Sequence, residues 1–177
     1  MTSAWSRPIR RLVDILARGG RGPASNVTFK HATAVWDSFI YAVRNGPALV
    51  RVDGNPFGVD AKLLAGRITD AMQAGFSEPF VRFTSEAAQA PYPAYRFIWT
   101  LDPAPGYDLN AVCGERRPAP ASAAGERLEM RLAFCQDGRL LSAVHGWMAR
   151  AAAGPDRPEW CNLVAQMTRQ LVRDDGT

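Results

Sequence analysis

The stretch RLEMRLAFCQDGRLLSAVHGWM, residues 127–148, decides the fold. Leu128, Met130, Leu132 and Phe134 alternate with Arg127, Glu129, Arg131, Ala133 and Cys135. That period of two turns one strand face toward a core and the other outward. Asp137–Gly138 is a strong two-residue hairpin signal, and it returns residues 139–148 alongside as an antiparallel partner. In the simplest register Gln136 faces Arg139 and Met130 faces His145. This predicts His145 on the core face and Cys135 on the opposite one, which argues against a Cys–His catalytic pair.

Working upstream, Tyr95, Phe97, Trp99 and Leu101 form a third alternating strand. It is joined to the hairpin by a Pro/Ala/Gly-rich stretch, 102–125, too long for a tight loop. Residues 78–84 read as a short strand and 48–53 as a half-buried one. Apolar residues at i, i+3, i+4 and i+7 predict helices over 33–44, 61–74 and 157–172. Thr33, Asp60 and Asp156 are the candidate N-caps. The turn GNPFG at 54–58 lacks the Lys–Ser/Thr pair of a phosphate loop and the third glycine of a dinucleotide fingerprint; Phe57 is expected to tuck its ring beneath it. The strand before the 61–74 helix and the one after it are expected to run parallel, and the last three strands to form an antiparallel meander. The fold class is therefore α+β: a two-layer sandwich with one mixed, mostly antiparallel sheet of about five strands and helices on one face.

The chain carries a formal charge of +4, but the first thirty residues hold six basic side chains against Asp14 alone, so the remainder is close to neutral. A neutral body argues against nucleic acid and for a basic arm that acts as an address, an anchor or a docking tail. Within residues 5–18 (WSRPIRRLVDILAR), Trp5, Ile9, Leu12, Val13 and Leu16 fall on one helical stripe, with Arg7, Arg10, Arg11 and Arg18 largely off it. This segment could pack on the body, be a leader remnant, or dock on an anionic membrane or a partner. It lacks the apolar core of a secretory signal. Residues 21–26 read as a linker. The organisation expected is arm and linker 1–26, a single domain 27–172, and a disordered tail 173–177.

The three cysteines match no zinc or thioredoxin spacing, and no cofactor or metal site is expected. If the 102–125 stretch folds back over the outer sheet face, Cys113 reaches Cys135. The alternative is three reduced thiols filling space. His31 reads as a boundary residue, and Trp99, Trp147 and Trp160 as core.

The run YRFIWTLDP…VCG…LEMRLAFCQDGRLLSAVHG…WCNLVAQMTRQL, with GPALVRVDGNPF upstream, resembles a group of uncharacterised proteobacterial proteins, often exported or lipid-anchored in the envelope. The resemblance covers about residues 32–172. It implies an envelope location and favours the Cys113–Cys135 bridge, and it implies no activity. The element order is also similar to the small periplasmic domain of outer-membrane assembly and activator lipoproteins. The function expected is a non-enzymatic envelope domain acting in protein–protein interaction or assembly, with self-association included. The alternatives are a cytosolic domain touching anionic lipid or nucleic acid through its arm, and an enzyme with an unrecognised site.

Overall fold

A computed structural model describes residues 22–31, 34–118 and 125–173. Their elements are β1 (Ala24–Lys30), α1 (Val35–Val43), β2 (Ala48–Asp53), α2 (Ala61–Gln73), β3 (Phe83–Thr84), β4 (Tyr95–Leu101), β5 (Arg127–Gln136), β6 (Arg139–Ala149) and α3 (Pro158–Val172). The strands make one sheet in the order β1-β6-β5-β4-β2-β3. β2 is parallel to both β3 and β4, and all other pairs are antiparallel. This is the expected α+β sandwich, with six strands instead of five.

The additional strand is β1. The supposed linker residues Ala24, Ser25 and Asn26 pair with Trp147, Gly146 and His145. The segment from 78 to 84 is strand only at Phe83–Thr84.

The core lies between the sheet and the helices. Phe97, Trp99, Leu128, Met130, Leu132 and Phe134 meet Phe39 of α1, Ile68 and Met72 of α2, and Trp160, Val164 and Met167 of α3. Asp60 caps α2 by accepting from the Leu63 amide at 3.0 Å. Thr33 lies outside the described residues. Asp156 does not cap α3: that helix starts on Pro158 after Arg157, and Asp156 pairs with Arg67 at 2.9 Å. Proline suits the first helical turn because its missing N–H would have had no partner there. Phe57 packs edge-on against Trp160, 5.6 Å between ring centroids. At the middle of β6, Gly146 lets α3 approach so closely that a Cβ would stand 2.4 Å from Met167 Sδ.

One irregularity redirects the outer face. The hairpin begins in the expected register, Gln136 opposite Arg139 and Cys135 opposite Leu140, and then slips so that Phe134 faces Ser142. Leu141 is the extra residue of a β-bulge. Because side chains alternate with period two, a one-residue slip exchanges the faces of everything beyond it. Arg131, not Met130, therefore sits opposite His145. His145 and Trp147 consequently lie on the outer face, not in the core.

Candidate functional site

The face of the sheet turned away from the helices is built from cross-strand rows. One row runs Arg51, Ile98, Ala133, Ala143, Phe29, and the next runs Asp53, Thr100, Arg131, His145, Asn26. Trp147 follows, flanked by Glu129 and Ala24.

Residues 102–118 cross the β4 side of this face as a flap. Val112 and Cys113 are buried in a second small apolar cluster with Ile98, Ala133 and Cys135, against which Tyr107, Leu109 and Leu140 pack. Cys113 and Cys135 are placed for a disulfide, Cα atoms 5.7 Å apart and sulfurs in bonding contact. Arg51 Nη1 and Nη2 donate to the carbonyls of Gly114 and Val112, each at 3.2 Å, and Arg96 donates to the Cys113 carbonyl. One covalent link and two guanidiniums thus hold a segment with little apolar surface of its own. Cys161 is free and half-buried; desolvation, with Asp156 adding to it, pushes its thiol pKa up.

Beneath the flap's edge the polar row is incompletely satisfied. Asp53 is 5% exposed and Thr100 3%. One Asp53 oxygen takes Arg51 at 2.9 Å, while Arg117 Nε stands 3.9 Å from the other. Asp53 Oδ1, Thr100 Oγ1, the Tyr107 hydroxyl and Arg131 Nε are buried with no hydrogen-bond partner. Desolvation pushes the Tyr107 pKa up to about 12, only partly offset by Arg131 and the nearby Thr100 hydroxyl. Its hydroxyl therefore stays a proton donor across the neutral range. A cavity of about 300 Å³ opens beside it, lined by Tyr107, Val112, Arg116 and Arg117 among others.

The β6–β1 side is open. The Arg127 guanidinium lies 4.8 Å from the Trp147 ring centre, and the His145 and Trp147 rings are 5.0 Å apart. Glu129 accepts from His145 Nε2 and from Arg127 Nε. A groove of about 810 Å³ runs past Gly22, Arg127, Trp147 and Ala149. The bulge thus puts Cys135 and His145 on the same face, contrary to the simple register, but the Cys135 sulfur is directed at Cys113. His31 prolongs the pairing of β1, its amide donating to the Leu141 carbonyl at 2.9 Å. The candidate docking residues of the arm, Trp5, Arg7, Ile9, Arg10, Arg11, Leu12, Leu16 and Arg18, lie outside the described residues.

Fold and face together define a mixed-sheet α+β domain whose outer surface is half covered by a tethered flap. No protein-family model and no curated protein matches the chain. Among solved structures, the PelC dodecamer from Paraburkholderia phytofirmans aligns with a TM-score of 0.48 at 16% identity, covering 86% of this chain and 99% of the PelC chain. A point variant of the same PelC dodecamer gives 0.48 and 14%, with 85% and 99% covered. That likeness is too distant to transfer a role.

Proposed function

We propose that the protein is a non-enzymatic domain of the bacterial cell envelope that works by association, in the first place with copies of itself. The observation that carries this reading is the edge strand β1. It is seven residues long, contains no proline, and among the described residues pairs only with β6. Val27 is 38% and Phe29 39% exposed, one toward each layer. Lys30, its one charged residue, reaches back to the Arg173 carbonyl. The opposite edge, β3, has two residues. A long edge without outward charge is a template for another strand. β1 carries a bulge at Thr28, and a symmetric antiparallel pairing about Val27 would set Lys30 against the uncharged Ala24–Ser25 end of the other copy, with no like charges facing.

An oxidised Cys113–Cys135 pair fits an oxidising compartment. The commitment of Cys135 to Cys113 removes the one thiol on the His145 face as a nucleophile, which supports a binding role over a catalytic one. Light scattering on the full chain tests association. We expect a concentration-dependent oligomer that the Val27→Lys/Phe29→Asp variant converts to monomer without change in circular dichroism. A wild-type protein that remains monomeric through the high micromolar range overturns the proposal.

Peripheral contact of the 5–18 segment with anionic lipid belongs to the same reading. Each basic side chain near such a surface is worth about 1 kcal/mol. Replacing Arg7, Arg10, Arg11 and Arg18 by Gln is therefore expected to lower binding to phosphatidylglycerol vesicles by roughly a hundredfold or more. Equal binding to purely zwitterionic vesicles would refute membrane contact of this kind.

A further inference from the structure

The flap covers the β4 side of the outer face. Among the described residues nothing covers the end of that face where β6 finishes and β1 starts. There the groove of about 810 Å³ runs past Gly22, Arg127, Trp147, Ala149 and Ala151. Trp147 is half-buried, with the Arg127 guanidinium and the His145 ring beside it. Ala149, opposite Arg127 and on the same face as Trp147, keeps the floor of the groove low. Gly22, the first described residue, stands in this groove, and a Cβ on it would meet nothing within 4 Å. The pairing of β1 with β6, Ala24 against Trp147, therefore delivers residues 1–21 to the groove.

Those residues carry a stripe that fits. Ile9, Leu12, Val13 and Leu16 are spaced i, i+3, i+4 and i+7, which is two turns of helix. Two turns about 10 Å across occupy roughly 800–900 Å³, the size of the groove. The six residues from Leu16 to Gly22 can span about 20 Å, and Gly19–Gly20 within them let the chain reverse. Charge points the same way. Arg127 is paired with Glu129 and Arg150 with Asp102. That leaves the exposed Glu126 carboxylate, which has no ion pair among the described residues, to meet Arg10, Arg11 and Arg18. We propose that the groove is the seat of the chain's own residues 9–16, which lay their apolar stripe on Trp147 and Ala149 of the same molecule. The stripe escapes water, and an open aromatic surface becomes enclosed.

This docking goes beyond association through β1 and beyond lipid contact, and its test uses the full chain in solution without vesicles. Nuclear Overhauser contacts from the methyl groups of Ile9, Leu12 or Leu16 to the Trp147 ring are expected, and they persist on dilution. Ile9→Asp/Leu16→Asp moves the Trp147 indole N–H and the Ala149 and Ala151 amide resonances, and leaves those of the hairpin turn 136–139 in place. Ala149→Arg fills the groove from its floor, leaves the arm's sequence intact and removes the same contacts. Either variant quickens tryptic cleavage after Arg11 roughly tenfold or more, because large aliphatic side chains are no longer buried. Groove resonances that stay in place in the Ile9→Asp/Leu16→Asp chain mean that this segment does not occupy the groove, and overturn the proposal. Contacts seen only between differently labelled chains assign the arm to a second copy, and overturn it too. Neither outcome decides association through β1, which light scattering reads.

Discussion

Replacing both Cys113 and Cys135 by alanine is expected to cost about 3 kcal/mol and to free the flap while the sheet persists. The two cysteines are 22 residues apart in sequence. Closing a loop of that length restricts the unfolded chain by about 3 kcal/mol in the chain-entropy treatment. The native state has little to replace it with, because the apolar cluster under the flap is small and four polar atoms beside it lack partners. Arg51 and Arg96 would remain as the flap's anchors, through hydrogen bonds that are worth about 1 kcal/mol each in net terms. Hydrogen exchange should therefore quicken across residues 102–118 far more than in β4 and β5, and trypsin should cut after Arg116 first, since Pro118 blocks the bond after Arg117. Uniform acceleration of exchange over the whole chain would show that the flap is not a separate unit. Alkylation of all three thiols in native protein without reductant would show that the bridge is not formed.

The second large effect is expected at Phe97. It is fully buried in the middle of β4, stacked on Phe134 at 4.6 Å and edge-on to Phe83 at 5.3 Å and to Phe39 at 6.1 Å. Those rings come from β5, β3 and α1, so Phe97 joins the meander to the parallel side of the sheet. Truncation to alanine removes the ring and opens a cavity that three stiff aromatics cannot collapse into, at a cost of about 4 kcal/mol. Denaturant melts of Phe97→Ala should show the loss at unchanged slope. A loss below 1 kcal/mol would mean that the two halves of the sheet do not share one core.

Both effects rest on features that the sequence pattern discloses unevenly. Strands β4, β5 and β6, the three amphipathic helices and the Asp60 cap are legible because apolar spacing and cap chemistry are local. β1 was hidden because only Val27 and Phe29 in it are large and apolar, and both stay partly exposed at an edge. The faces of His145 and Trp147 were misassigned by one bulge. A signal for it stands in the chain: Leu140 and Leu141 are adjacent apolar residues that no strict alternation accommodates, and the structure sends Leu140 to the flap cluster and Leu141 to the core. The unpartnered polar atoms of Asp53, Thr100 and Arg131 leave no trace in spacing, since they arise from a flap laid across three strands.

The two ends of the described chain meet. Ser25 donates to Gln170 at 2.6 Å, Lys30 reaches the Arg173 carbonyl, and among the described residues β1 pairs only with β6. The first of the described strands therefore waits for residues made more than a hundred positions later. Until then its edge is open, and so is the layer it will cover. Such a sheet is completed late during synthesis, after most of the elements that form its core have been made.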